Sequence, residues 1–215
     1  MKQFKYLIPL GMIGVIFYFI HVFLGQMLWP DYDPITMDIS SLTAEGAPNA
    51  GLLRIFTTIY GIFFLTFAFG MVLKAWKLYH RITKAGYVMF LIMALTTTAG
   101  YALFPLTGDK TVMNFQNMMH IIVTVIVVFT TILSFYLLAF GYLKQEKLKA
   151  LGRISFITAV LITILGALNP IGMATNINIL GLTERFVIFP LQGFVFFLSF
   201  IYTFNCKIIN KEARL

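Results

Sequence analysis

Nine side chains able to bind a ligand or carry a proton lie in or beside three polar segments that separate apolar runs of the chain. Carboxylates and imidazoles serve as general acids and bases, and carboxylates also bind cations. Hydroxyl groups add hydrogen bonds, and arginines bind phosphates or carboxylates. We therefore treat the following residues as one candidate site: Asp38, Ser40, Ser41, Glu45, Arg54, Asp109, His120, Glu184 and Arg185.

His120 has the widest chemical range of these candidates. It follows Asn114, Gln116 and Asn117 and begins a long apolar run. A histidine in this position suits a general base, a metal ligand or a pH sensor, and Asp109 in the same segment is its candidate partner. The alternative is an interfacial histidine bonded to a neighbouring loop. We favour the functional role because polar groups of all three segments can converge on it.

The first polar segment, PDYDPITMDISSLTAEGAPNA over residues 30–50, is acidic and too polar to lie in lipid. Asp38 and Glu45 are its central carboxylates, and Ser40 and Ser41 stand between them. Such a group suits cation binding or acid–base chemistry. A solvated, negatively charged loop explains the same composition equally well, so both interpretations stay open.

The polar segment NPIGMATNINILGLTER, residues 169–185, ends in Thr183, Glu184 and Arg185. We expect Thr183 to cap a helix that begins near residue 186, because a threonine side chain can accept a hydrogen bond from the first turn. Glu184 then suits the positive end of the helix dipole, whereas Arg185 is unfavourable there. We therefore expect Arg185 to pair with a carboxylate or with an anionic headgroup.

Arg54 and Arg185 invite two interpretations. Both fall near the same predicted membrane surface, where two guanidinium groups can together hold a phosphate or a carboxylate. They can equally pair with Asp38 or Asp109 and fix the polar loops in place. The sequence leaves this choice open.

Several classes of site are disfavoured. The chain has no phosphate-binding glycine loop and no HExxH, CxxC or GxSxG motif. Its three histidines include no pair spaced by four residues, which disfavours a classical zinc protease, and the single cysteine, Cys206, excludes a cysteine-based metal site, so we assign no metal ligands. We expect His21, inside the first apolar run, to be neutral and bonded to another helix. No catalytic residue and no cofactor is assigned.

The chemistry-bearing segments must be held by membrane helices. Of 215 residues, 60% are hydrophobic and 11% are charged, and the mean hydropathy is +0.89. A helix needs about 20 apolar residues to cross a bilayer. The first such run exceeds the apolar core of a signal peptide, so we expect it to be retained. We predict an all-α integral membrane bundle, a single domain over residues 1–215, with six helices at 6–29, 51–73, 85–104, 119–142, 152–171 and 186–206.

Prolines and glycines refine this prediction. Phe104-Pro105 and Asn169-Pro170 are expected to end the third and fifth helices. Six glycines within the apolar runs are expected to allow close contacts between helices: Gly25, Gly61, Gly70, Gly100, Gly166 and Gly193.

The charges predict an orientation. Thirteen of the 16 lysines and arginines lie at the two termini and in the second and fourth connections. Six of the eight acidic residues lie in the first, third and fifth connections. Since cytoplasmic loops of membrane proteins are enriched in lysine and arginine, both termini are predicted to be cytoplasmic in a multi-pass protein of the cell membrane. The net charge of +8 follows from this clustering, and we do not expect nucleic-acid binding.

Three stretches together resemble a bacterial and archaeal family of six-helix membrane proteins, the unknown-function family DUF998. They are PITMDISSLTAEGAPNA, GYALFPLTGDK with the His120 that follows it, and GLTERFVIFP. The resemblance covers nearly the whole chain but carries no catalytic residues. The first stretch is more faintly similar to the Frag–DRAM–Sfk group, some of whose members are linked to lipid organisation, which implies a connection with lipids.

Three functions fit these features. The first is a protein that binds a lipid or small amphiphile through a polar site on the outer face. The second is a membrane enzyme acting on an outer-leaflet lipid, with His120 as base and Asp38, Glu45 or Asp109 as its partner. The third is a subunit whose outer loops bind another membrane protein. Convergence of the candidate side chains favours the first two, whereas their dispersal around a water-facing rim favours the third.

Overall fold

The chain folds into six long helices, seen in a computed structural model that describes residues 6–108, 112, 114–175 and 177–206. Each helix is long and apolar enough to cross a membrane. Among the described residues the one β-type contact is a bridge between Glu45 and Thr107. The predicted all-α, six-helix membrane bundle is therefore confirmed. The helices are α1 Leu10–Leu28, α2 Ala50–Leu78, α3 Arg81–Leu103, α4 Phe115–Leu143, α5 Lys149–Ala174 and α6 Leu180–Thr203.

Several helices extend beyond the predicted apolar runs. The third helix begins at Arg81 rather than near residue 85, and the sixth begins at Leu180 rather than near residue 186. The fifth continues through Pro170 to Ala174, so the prediction that Asn169-Pro170 ends it was wrong. Helices that outrun the hydrocarbon core place polar turns in the headgroup region, and neighbouring helices allow a proline inside a membrane helix. The end of α3 before Phe104-Pro105 is confirmed.

The helices close into a ring that follows the order of the chain. Each helix packs on its neighbours in sequence, and α1 packs on α6. Buried phenylalanines fill the interior: the ring centroids of Phe64 and Phe90 are 5.4 Å apart, and those of Phe135 and Phe194 are 4.7 Å apart. This arrangement brings the first loop, after α1, next to the start of α6.

Two of the six predicted glycine contacts are absent among the described residues. A Cβ atom on Gly25, Gly61, Gly70 or Gly100 would lie 2.9 Å or less from a side chain of a neighbouring segment. A Cβ atom on Gly166 would lie 3.7 Å from Val187, which is an ordinary contact, and one on Gly193 would meet open space. Hydropathy cannot tell a glycine in a helix contact from one on the bundle surface.

The two ends of the bundle differ in charge. We call the end formed by the described residues of 29–49, 104–114 and 175–185 the acidic end, because these residues include five of the eight acidic residues of the sequence. We call the opposite end, which includes the short connections around residues 79–80 and 144–148, the basic end. The candidate site residues that the structure describes all belong to segments of the acidic end or to helix turns that adjoin it.

Four tyrosines join helices near the basic end. The Tyr79 hydroxyl donates a hydrogen bond to Tyr202 at 2.7 Å, the Tyr142 and Tyr202 hydroxyls are 3.1 Å apart, and the Tyr87 hydroxyl is bonded to Tyr142. The Lys74 ammonium lies 3.9 Å from the centre of the Tyr202 ring. These buried hydroxyls tie together α3, α4, α6 and the end of α2.

Candidate functional site

Asp38 organises the first loop. It is 2% exposed and caps the 3₁₀ turn Ile39–Thr43. Its carboxylate accepts hydrogen bonds from the Ser40 hydroxyl at 2.8 Å, from the Ser41 backbone N–H at 3.2 Å and from the Ser41 hydroxyl. The two serines predicted as site residues therefore hold the carboxylate of their own loop, and they fold the loop back over the bundle.

Arg185 fastens this loop to the last helix. Its side chain is 7% exposed and donates to the carbonyl oxygens of Met37 at 3.2 Å and Gly181 at 2.9 Å. It also donates to the Tyr32 hydroxyl at 2.8 Å, which in turn donates to the Asp38 carbonyl at 2.8 Å. Carbonyl dipoles and a phenol oxygen thus supply the electronegative partners that the sequence had suggested would be carboxylates.

Glu184 makes a second connection to the same loop. Its Oε2 accepts a hydrogen bond from the Ile39 backbone N–H at 2.5 Å. Because α6 begins at Leu180, Glu184 and Arg185 lie in its second turn, and the prediction that Thr183 caps the helix was wrong. The Thr183 hydroxyl instead donates to the carbonyls of Ile179 and Leu180.

Gly181 allows the loop to approach α6 closely. A Cβ atom at this position would overlap the carbonyl oxygens of Met37 and Pro34. The Leu182 N–H also donates to the Ile35 carbonyl at 3.0 Å. At Gly181 the loop and the helix therefore meet through backbone atoms, and this point of contact leaves no room for a side chain.

Arg54 and Glu45 join the first loop to its other neighbours. Arg54 is exposed, and its Nε donates to the Thr43 carbonyl at 3.0 Å. The Glu45 side chain is exposed, while its backbone N–H donates to the Leu106 carbonyl at 2.8 Å. Arg54 and Arg185 thus both bond carbonyl oxygens of this loop, which favours the interpretation that the arginines fix it in place.

Asn117 holds the loop between α3 and α4. It is fully buried, and its Oδ1 accepts hydrogen bonds from the Thr107 backbone N–H at 2.8 Å and from the Thr107 hydroxyl at 3.0 Å. Its Nδ2 donates to the carbonyls of Thr107 and Val112. Asn114 caps α4 by accepting a hydrogen bond from the Asn117 N–H at 2.8 Å.

His120 points into the bundle just below this loop. It is 3% exposed, and its Nδ1 donates to the Phe104 carbonyl at 2.9 Å. A carbonyl can only accept, so the proton lies on Nδ1 and Nε2 carries the lone pair in the neutral ring. The Tyr101 ring packs 4.9 Å from the imidazole, directly after a π-helical stretch, Thr96–Gly100. Such π segments interrupt α-helices frequently at functional sites.

A line of polar groups leads from this end toward the middle of the bundle. Tyr101 lies within electrostatic range of Asp38 and Glu184. Tyr18, on α1, lies within range of Tyr60, Tyr101 and Glu184. Buried polar groups that face the interior of a membrane bundle are expected to pair with one another or to serve a ligand.

The polar line continues in the middle of the helices. The Gln192 amide on α6 donates to the Tyr60 hydroxyl on α2 at 2.7 Å. His21 donates from Nδ1 to the Tyr18 carbonyl at 2.6 Å, so its bond lies within α1 rather than between helices as predicted. The sequence analysis missed Tyr18, Tyr60 and Gln192, although an amide inside an apolar helix was a usable signal.

Two loop residues have shifted pKa values. Burial raises the pKa of Tyr32 to about 12, while its hydrogen bond from Arg185 and the charge of that side chain act in the opposite direction. Tyr32 is therefore a neutral phenol at physiological pH and can both accept and donate. Hydrogen bonds from the Ile35 N–H and the Thr36 hydroxyl lower the pKa of Asp33, so the acidic end keeps this negative charge.

Comparison with known proteins identifies the family. Residues 12–201 match the model of the family described as "Protein of unknown function (DUF998)". The chain belongs to the DUF998 family. Neither the comparison with curated proteins nor the comparison with solved structures finds a match. The resemblance that rested on three short stretches is therefore confirmed, and the fainter likeness to the Frag–DRAM–Sfk group stays a prediction.

In this DUF998 member most of the predicted site residues contribute to one acidic end. Asp38, His120 and Arg185 are buried and Glu184 is half-buried, while Glu45 and Arg54 have exposed side chains. Asp109, the candidate partner of His120, lies outside the described residues. In the described part of the chain, no group of three or more histidine, cysteine or acidic side chains is arranged to hold a metal ion.

Proposed function

We propose that this DUF998 protein binds a lipid or small amphiphile through its acidic end, and that this end faces outward from the cell membrane with both termini in the cytoplasm. The observation that carries the proposal is the inward placement of Asp38, His120 and Arg185, which are 2%, 3% and 7% exposed. Charged and titratable groups inside a membrane bundle are costly, and a ligand is a common reason for them.

The polar line beneath these residues supports binding rather than docking of a partner protein. Docking surfaces present their side chains to water, whereas here Tyr101 and Tyr18 continue the polar groups away from the surface. An amphiphile suits such a gradient, because its polar group can meet hydrogen-bonding side chains while its chain stays among apolar ones. The helices around the line present phenylalanine and methionine to the lipid.

The orientation rests on the positive-inside rule. We expect a cysteine at Asp31, an exposed position of the acidic end, to react with a membrane-impermeant maleimide in intact cells. A cysteine at Lys147, exposed at the basic end, should react only after the cells are opened. Both variants need a Cys206→Ser background, because Cys206 is the single native thiol. The reverse labelling pattern would overturn the proposed orientation.

His120 gives the most specific test of binding. Native mass spectrometry in mild detergent should show a bound lipid on the wild type and at least a tenfold loss of occupancy in His120→Ala. In His120→Asn the side-chain amide can still donate to the Phe104 carbonyl, which His120 Nδ1 reaches at 2.9 Å. This variant should therefore keep the thermal midpoint near that of the wild type but lose the lipid. If His120→Asn retains the lipid, the imidazole only supports the loop.

An enzyme acting on an outer-leaflet lipid is the second candidate function. The specific observation in its favour is that the Phe104 carbonyl fixes the proton of His120 on Nδ1, which leaves the lone pair of a general base on Nε2. The Tyr101 ring packs 4.9 Å from the His120 ring. Incubation of the purified protein with vesicles of native lipids distinguishes the two functions: hydrolysis products that disappear in His120→Asn favour the enzyme, and an unchanged lipid favours binding alone.

A further inference from the structure

Gln192 has an unsatisfied acceptor in the middle of the membrane. The residue is 2% exposed, and its Nε2 donates to the Tyr60 hydroxyl at 2.7 Å. Its Oε1 is buried and has no hydrogen-bond partner among the described residues. A buried carbonyl oxygen without a donor costs free energy, and each such group needs an explanation. A bound ligand that donates a hydrogen bond to this oxygen is one such explanation.

Two phenols lie next to the Gln192 amide. The Tyr60 hydroxyl accepts its N–H, and the Tyr18 ring packs 4.9 Å from the Tyr60 ring. Because the Tyr60 hydroxyl accepts the Gln192 N–H, its own proton remains a donor. Tyr18 lies ten residues from the acidic end of α1 at Leu28, a depth of about 15 Å at the helical rise. A charged ligand group is disfavoured at this depth.

The lining of an open apolar groove includes the chain neighbours of Gln192 and Tyr18. The groove encloses about 580 Å³ between α1 and α6, and its walls include Val15, Phe19, Met27, Gly193 and Phe196. The groove is wide at Gly193, where a Cβ atom would meet open space. Gly193 follows Gln192 directly in the chain. The Phe19 ring, which lines the groove, packs 6.0 Å from the Tyr18 ring.

We propose that this groove takes the chain of a neutral amphiphile, whose hydroxyl or amide N–H donates a hydrogen bond to Gln192 Oε1. In this proposal the ligand group passes between α1 and α6 to reach Gln192, and the Tyr60 hydroxyl donates to the oxygen of the same group. This inference rests on the proposed function, since it names the class of amphiphile and adds an intramembrane contact below the acidic end.

The test compares two probes that differ in one donor. Hexadecanol and hexadecyl methyl ether are titrated separately against the full chain in mild detergent and counted by native mass spectrometry. We expect one hexadecanol per chain, bound at least tenfold more tightly than the ether, because the ether cannot donate. In Gln192→Leu the affinity for hexadecanol should fall to that for the ether.

A pair of glycine variants tests the groove independently of Gln192. Gly193→Leu places a side chain in open space, so it should fill the groove without disturbing the helix contacts and weaken both probes at least tenfold. Gly166→Leu is the matched control, since it adds the same side chain at another helix position where a Cβ atom makes one ordinary contact. Its affinity for both probes should equal that of the wild type.

The outcomes separate this inference from the proposed function. Equal binding of the two probes to the wild type overturns the donor–acceptor contact but leaves amphiphile binding in place. If phosphatidylglycerol binds and neither probe does, the ligand is not a neutral amphiphile. The inference is then wrong, while amphiphile binding stays in place. If no amphiphile of any class binds, both the inference and the proposed function are wrong. If Gln192→Leu fails to fold, the comparison of the two probes on the wild type still decides.

Discussion

Replacing Arg185 by methionine is expected to lower the free energy of unfolding by about 3 kcal/mol, because a buried charged donor with several partners is lost. Methionine keeps much of the apolar stem but leaves the Met37 and Gly181 carbonyls without the guanidinium donor. The Tyr32 hydroxyl also loses the donor at 2.8 Å. We expect a lower thermal midpoint in detergent and faster proteolysis within residues 30–49.

Arg54→Met is the matched control for this variant. Arg54 is exposed, and its side chain bonds the same loop through one hydrogen bond among the described residues, from Nε to the Thr43 carbonyl at 3.0 Å. Since an exposed contact of this kind contributes little, its loss should cost less than about 1 kcal/mol. If the two variants unfold at the same temperature, Arg185 does not fasten the loop in the way described.

The second large effect is expected for Gly181→Ala. The added Cβ atom would overlap the backbone carbonyl oxygens of Met37 and Pro34, and backbone atoms of a closed loop cannot move aside as a side chain can. The loop must shift, which also weakens the hydrogen bond from the Leu182 N–H to the Ile35 carbonyl. We expect a destabilisation of about 2 to 3 kcal/mol, measured by thermal unfolding in detergent.

Gly166→Ala provides the control for the glycine variant. Its Cβ atom would lie 3.7 Å from Val187, an ordinary contact, so the substitution should be neutral or should stabilise α5 by up to about 1 kcal/mol through helix propensity. A Gly181→Ala variant as stable as Gly166→Ala would show that the loop does not approach α6 as closely as the backbone contact requires.

The helices were predictable because hydropathy over about 20 residues is a strong signal in a membrane protein. The ends of the helices were less predictable than the helices themselves. The start of α6 at Leu180 and the passage of α5 through Pro170 depend on backbone contacts with neighbouring segments. Such contacts leave little trace in the residue types. The alternation of acidic and basic connections along the sequence correctly predicted which of the described segments lie together at each end of the bundle.

The sequence allowed candidate side chains to be chosen by residue type and by the end of the bundle on which they lie. It did not allow their hydrogen-bond partners to be predicted. A carboxylate was one of the two partners expected for Arg185, and among the described residues it bonds carbonyl oxygens and Tyr32 instead. A backbone carbonyl carries no sequence signature. The bond between Gln192 and Tyr60 joins residues 132 positions apart, and only the ring-like order of the helices brings them together.

Native mass spectrometry of the full-length wild type, purified in mild detergent with metal analysis of the same sample, tests amphiphile binding most directly. We predict a stoichiometric lipid or amphiphile adduct that survives transfer to the gas phase and is diminished in His120→Asn, together with no stoichiometric metal. A bare polypeptide mass, or a mass shared with a second polypeptide and no lipid, would contradict the proposed function and favour an assembly role.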